Sequence, residues 1–160
     1  VYTGKGKGKT SASMGLMTRA LGTGWSVAFI QFIKHWDVGE HHFINKIKPL
    51  FGRKLLFYKG GKGFYKAPGG LSEKGISEKQ HKKAAKQTYE KAIQAVLNDG
   101  MLTKNQVKKL IKAKHDKTSL CLTGRNFPKD LLPFVDIATN MTKIKHHFDE
   151  KYLANKGIDY

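Results

Sequence analysis

Cysteine, acidic side chains and long apolar runs are all scarce in this sequence. A single cysteine, Cys121, in 160 residues excludes a disulfide framework and every zinc site built on paired cysteines. No apolar stretch approaches the roughly 18 residues that span a bilayer. The chain opens at Val1 with no charged-then-apolar leader, so neither a membrane segment nor a signal peptide is expected. A soluble, cytoplasmic protein follows from these absences. Twelve Asp and Glu stand against 30 Lys and Arg, a formal charge of +18. Such a surface suits a triphosphate, RNA, an anionic membrane or nothing beyond solvent, and the solvated lysine coat is the simplest reading.

What is present is enough for one core. Apolar residues make up 39% of the chain, with nine Phe, six Tyr and two Trp spread along it, so residues 1–160 read as one ordered domain. Short apolar runs alternate with amphipathic segments. Val1 to Thr3 resembles the tail of a strand entering a glycine-rich turn. Ala12, Leu16, Met17, Ala20 and Leu21 recur at helical spacing over 9–21, and Gly22 supplies the stop. Ser26 to Ile33 is short, β-branched and aromatic, as a buried parallel strand requires. Lys54 to Tyr58 is a second strand candidate, and Gly60 to Gly75 a long Gly- and Lys-rich loop.

Ser77-Glu-Lys-Gln80 has capping-box spacing and predicts a helix to about Gln94, with Ala84, Ala85, Thr88 and Ala92 on one side. Thr103 and Gln106 repeat the signal before Val107, Leu110 and Ile111. Ser119 to Thr123 is another buried-strand candidate. A short helix near Pro128 to Phe134 and a strand over Asp136 to Thr139 follow. Strands alternating with helices predict an α/β fold with a parallel sheet.

Thr3-Gly-Lys-Gly-Lys-Gly-Lys-Thr10 lies between strand and helix, where a phosphate loop works. Its glycines allow backbone N–H groups to approach phosphate oxygens, and the helix start adds unpaired donors and positive dipole. Lys9 would reach the phosphates and the Thr10 hydroxyl could ligate Mg²⁺. Thr3 stands where the usual first glycine would be, so the match is G-K-T with an altered front. The alternative is a basic, glycine-rich arm on nucleic acid; the flanking strand and helix favour the phosphate loop.

Further blocks follow in order: Gln31-Phe-Ile-Lys34, Gly39-Glu40, Gly63-Phe64, Thr123-Gly-Arg125 and Lys145-His146, with Lys-Gly-Ile-Asp-Tyr160 at the end. With the loop, they make nearly the whole chain resemble the P-loop type of ATP:corrinoid adenosyltransferase, the cob(I)alamin enzymes of vitamin B12 assimilation. The resemblance implies a P-loop NTPase-like parallel sheet flanked by helices, and transfer of the 5′-deoxyadenosyl group of ATP to reduced cobalt, releasing triphosphate. It makes Lys9 and Thr10 the catalytic pair, with Thr10 on Mg²⁺ or Mn²⁺. It assigns ligand binding to Gly4, Lys5, Gly6, Lys7, Gly8, Lys9, Thr10, Arg19, Phe64, Arg125 and His146, with the corrin under Gly63 and Phe64. A homodimer and a flavoprotein reductant are implied partners.

Four departures from the family stand out. Lys5 replaces a common Asn, Lys66 an expected aromatic ring that Phe64 and Tyr65 could compensate, and Asn140 an expected acid. The largest lies near 94–95. The family has a hydrophobic strand ending in Leu-Asp-Glu there, whereas here Gln94 runs directly into Ala95-Val-Leu-Asn-Asp-Gly100. Asp99 follows no apolar strand and is no substitute. Either the chain is a catalytically impaired paralogue, or the molecule holds residues beyond this sequence; the opening in mid-strand and the abrupt junction favour the second. A non-catalytic RNA or polyanion binder on the same fold is the rival function.

Other signals are weaker. His41-His42 and His146-His147 are expected to face solvent, because neighbours on a strand point to opposite faces and chelate poorly together. Arg19 could instead pair with an acidic neighbour on its helix. Trp25, Trp36 and Phe43 read as core or pocket wall, and Cys121 as a small buried hydrophobe.

Overall fold

The computed structural model describes residues 1–32, 37–62, 75–93, 104–153 and 156–158. The expectations for Lys34, Trp36, Gly63, Phe64, Tyr65, Lys66 and Asp99, and for the junction near 94–95, lie outside them.

Strand β1 (Tyr2–Thr3) enters the glycine-rich loop, and α1 (Lys9–Gly22) leaves it. The helix ends where the spacing predicts. Thr23 closes it, its N–H and hydroxyl donating to the Arg19 carbonyl at 3.1 and 3.2 Å. Gly24, at φ +81°, turns the chain into β2 (Val27–Gln31). The capping Thr and the left-handed Gly thus set where the buried strand begins.

Helix α2 (Gly39–Phe51) then crosses to β3 (Leu55–Lys59), which pairs parallel with β2 from Val27–Leu55 to Gln31–Lys59. Parallel neighbours need such a crossover, so this is a βαβ unit. The sequence reading assigned no element here, although Ile44, Ile47 and Phe51 recur at helical spacing. The histidine expectation is corrected accordingly. His41 and His42 lie in the first turn of a helix, not on a strand. His41 is buried at 2% exposure against Phe57, with its Nε2 2.5 Å from Gln31 Oε1. His42 alone of the two faces solvent.

The other strands gather around β1. On one side it pairs parallel with β4 (Thr139–Asn140), Tyr2 opposite Thr139. On the other, the Tyr2 N–H donates to Leu122 O at 2.8 Å and the Gly124 N–H to Tyr2 O at 3.1 Å, a bridge centred on Thr123. The expected strand over Ser119 to Thr123 is therefore reduced to one bridge: it touches β1 only at its end. The expected strand at 136–139 begins only at Thr139. Between them Pro128 introduces a 3₁₀ turn, Lys129–Phe134, in place of the short α-helix.

Helix α3 (Glu78–Ile93) opens on the expected capping box, with the Ser77 N–H donating to Gln80 Oε1 at 2.7 Å and the Gln80 N–H to Ser77 Oγ at 3.3 Å. Its buried Ala84, Ala85 and Thr88 face the core. A Cβ on Gly60 would collide with Thr88, so glycine lets this helix approach the end of β3. Helix α4 (Lys104–Ala113) buries Val107, Leu110 and Ile111 as its spacing predicts.

Among the described residues two buried clusters result. Met17, Leu21, Phe29, Ile44 and Leu55 join α1, α2 and the β2–β3 pair. Phe32, Val107, Leu110, Ile111, Leu122 and Leu131 join α4 to the segment around 122–131. Phe29 and Phe32, an odd number of positions apart, point to opposite faces and serve one cluster each. The fold is α/β with parallel strand pairs, as expected. Among the described residues, no helix is long and apolar enough to cross a membrane.

Candidate functional site

The glycine-rich loop is held by backbone contacts. Gly4 sits at φ +102° and Gly8, the N-cap of α1, at φ +101°, conformations that cost a residue with a Cβ. The loop also lies hard against the chain beyond β4. A Cβ on Gly4 would strike the Asn140 side chain, and one on Gly6 would come within 2.6 Å of Met141 O. The Met141 N–H donates to Thr3 O at 2.8 Å, and the Gly6 N–H returns to Met141 O at 2.7 Å. The Phe127 N–H donates to Thr3 Oγ1 at 3.0 Å, fixing the turn that carries Arg125 beside the start of the loop.

This clamp corrects one detail. The Gly6 amide is committed to Met141, so it does not face inward with its neighbours. Further donors lie at the start of α1. Its first intrahelical bond is Ala12 N–H to Gly8 O at 2.8 Å, which leaves the amides of 8–11 ahead of the helical ladder. No side chain caps this end and no acid lies in its first turn. Lys9 Nζ folds over the loop, donating to Gly4 O at 2.8 Å and Gly6 O at 2.5 Å. An ammonium ion, uncapped amides and the dipole's positive end converge there, and such a place accepts a polyanion.

The remaining candidates are placed as follows. Lys5 and Lys7 are exposed on the loop, and Thr10 is half-buried in the first turn of α1. Arg125 is exposed on the turn tied to β1. The structure does not bring Arg19 to the loop: it occupies the last turn of α1, about 15 Å along the axis from Lys9 at 1.5 Å per residue. His146 lies half-buried on the segment after Met141, its ring 4.6 Å from that of His147. That pair is neither on a strand nor fully in solvent, a second correction. Trp25 is 58% and Phe43 45% exposed; Trp25 lines a cleft, whereas Phe43 is no core residue. Cys121 is half-buried, and burial raises its thiol pKa. Sequence reasoning missed the backbone of Met141 altogether, because a main-chain carbonyl carries no residue-type signal.

The loop offers a metal ion little besides the Thr10 hydroxyl. Among the described residues no three His, Cys, Asp or Glu side chains cluster as ligands. A divalent cation here fits as part of a metal–nucleotide complex, held mainly by phosphate and water.

Comparison with known proteins gives the class. The family model described as ATP:corrinoid adenosyltransferase BtuR/CobO/CobP matches residues 1–160. The chain belongs to the ATP:corrinoid adenosyltransferase family. A corrinoid adenosyltransferase of Sinorhizobium sp is 32% identical over 171 residues, covering all of this chain and 78% of the relative. Those of Escherichia coli K12 and Salmonella typhimurium LT2 are 29% and 28% identical over 170 residues, covering 84% of each. These alignments run over more positions than the 160 residues here, so the relatives contain positions without a counterpart in this chain.

Proposed function

We propose that this protein transfers the 5′-deoxyadenosyl group of ATP to the cobalt of a reduced corrinoid and releases triphosphate. The observation that carries the proposal is Lys9 folded over the glycine-rich loop at an uncapped helix start, in a chain matched end to end by the family model. The relatives named corrinoid adenosyltransferase support it; nothing among them favours the RNA-binding alternative.

The loop acts as a P-loop in this reading. Cob(I)alamin or a related corrinoid is the nucleophile. Its cobalt electron pair forms the bond to C5′ while the C5′–O bond breaks and triphosphate takes the bonding pair. No general base is needed. The protein's task is to align the partners and to stabilise charge accumulating on the leaving group. Lys9 exchanges the Gly4 and Gly6 carbonyls for phosphate oxygens, while the amides of 8–11 and the dipole of α1 hold the anion. Lys5, Lys7 and Arg125 add positive charge at the rim. The Thr10 hydroxyl would help hold the Mg²⁺ or Mn²⁺ of a metal–ATP complex, which would supply further positive charge at the phosphates. Phe64 and His146 are the proposed corrin-side contacts, a flavoprotein the reductant and a homodimer the working form.

Anaerobic incubation with ATP, Mg²⁺ and cob(I)alamin tests the reading, following the corrin spectrum and triphosphate together. Both products should appear in equal amounts. Triphosphate without a spectral change, or neither, would reject it.

A further inference from the structure

Buried His41 has no part in the chemistry derived for the loop. It lies in the first turn of α2, 2% exposed, against the end of β2. Gln31, the last residue of that strand, is bracketed by two neighbours on α2. Its Nε2 lies 3.2 Å from Glu40 Oε1, and its Oε1 lies 2.5 Å from His41 Nε2. The pairing fixes which atom is which. A carboxylate only accepts, so the amide nitrogen of Gln31 faces Glu40 and its oxygen faces His41. His41 Nε2 therefore carries a proton. The ring is itself held: it packs on Phe57 with centroids 5.5 Å apart, and its Nδ1 lies 3.8 Å from Asp37 Oδ1. Asp37 in turn accepts from Lys59 Nζ, at the end of β3, at 2.8 Å. The end of β3 and the start of α2 thus fix one amide on β2.

An amide nitrogen has two hydrogens, and Glu40 takes one of those on Gln31. Gln31 is half-buried rather than enclosed. Helix α1 leaves the glycine-rich loop at the end of β1 and delivers the chain to the start of β2, so the end of β2 returns to the side of the sheet where the loop lies. An open α/β sheet takes its ligand there, outside the carboxyl ends of the strands. We propose that Gln31 is a substrate-binding residue, its second amide hydrogen donating to a substrate, and that His41 is the positioning residue that aims it. The adjoining Glu40 carboxylate repels a phosphate, so the acceptor is uncharged: a carboxamide, hydroxyl or ring-nitrogen atom. Such atoms occur on the nucleoside half of ATP and on the amide-bearing rim of a corrinoid. Both ligands come from the adenosyl-transfer reading, on which this assignment rests.

Equilibrium binding to the full chain tests it without turnover, so a failed adenosyl transfer and a failed role for Gln31 read differently. The probes are Mg²⁺–ATP, hydroxocobalamin and inorganic triphosphate. Gln31→Met, equal in length but without the donor, should weaken either ATP or hydroxocobalamin about tenfold, the scale of one hydrogen bond, and leave triphosphate within about twofold. His41→Phe keeps a ring against Phe57 and should weaken the same ligand comparably. A second donor-free variant, His41→Leu, replaces it if the phenylalanine is not accommodated. His41→Gln returns an N–H toward Gln31 Oε1 and should recover most of the loss. In the Gln31→Met background the donor-free histidine variant should cost nothing further, whereas purely structural damage would add. Unchanged affinity for both ATP and hydroxocobalamin, an equal loss for triphosphate, no rescue by His41→Gln, or additive losses in the double variant would overturn the proposal.

Discussion

The amide of Gly6 donates to the carbonyl oxygen of Met141 at 2.7 Å, and the amide of Met141 donates to Thr3 at 2.8 Å. The two bonds fasten the loop after the first strand to the segment after the last. The loop is thereby shaped before any ligand arrives, which lowers the ordering cost of binding. Its geometry depends on glycine, because the clamp leaves no room for a Cβ at 4 or 6.

Gly6→Ala should lower stability by about 1–3 kcal/mol, the usual range for overpacking, and weaken ATP binding. Chemical denaturation and calorimetric titration with ATP measure the two effects. Intact ATP affinity in a folded variant would show that the clamp does not shape the binding loop.

Lys9→Ala should reduce turnover about 10²-fold or more, the scale for losing a preorganised charge stabiliser. Its bonds to two loop carbonyls are local, so circular dichroism and melting should change little. Arg19→Ala, at the far end of α1, should leave turnover within about twofold. Similar losses for both variants would contradict the placement of Arg19.

Two surface ion pairs predict an acid-labile component of stability. The Asp149 carboxylate accepts from Lys143 Nζ at 2.7 Å, and Asp37 from Lys59 at 2.8 Å. In each case the lysine hydrogen bond is the first cause holding the carboxyl below its ordinary 3.8. A carboxyl depressed in the folded state stabilises fully above the unfolded value, and the gain is lost as pH falls through the folded one. Stability should therefore drop below about pH 4. Asp149→Asn with Asp37→Asn should flatten that part of the profile in denaturant melts.

Ser77→Ala should cost about 1 kcal/mol through loss of the capping box. Ile44→Ala, at 0% exposure, should cost about 2–5 kcal/mol through the cavity it leaves. Urea unfolding midpoints compare them directly, and the reverse order would contradict the packing of α2.

Elements with local causes were legible in the sequence. The loop and α1 follow from glycine spacing and helical periodicity, α3 from Ser77 and Gln80, and α4 from Val107, Leu110 and Ile111. Helix α2 had a readable signal in Ile44, Ile47 and Phe51, passed over amid its His, Lys and Pro49; the burial of His41 against Phe57 and Gln31 was not legible, because tertiary contacts set it. The segment 119–123 has a strand's composition, but ladder formation depends on a partner elsewhere in the chain. At the site, Lys9 and the glycines were legible as a motif. The committed Gly6 amide and the distance of Arg19 were not, since both depend on how the chain returns in space.

Phe32 carries a consequence for how the molecule melts. It ends the β2 segment, which belongs to the α1–α2 layer, yet its ring lies among Val107, Leu122 and Leu131. Strand pairs that share no ladder among the described residues would ordinarily unfold as separate units. A ring rooted in one and buried in the other couples their fates, and Ile30 beside it adds a second link. Among the described residues, Phe32 and Ile30 thus tie the two halves together. Shortening Phe32 would loosen the bond between the halves more than it would weaken either half alone.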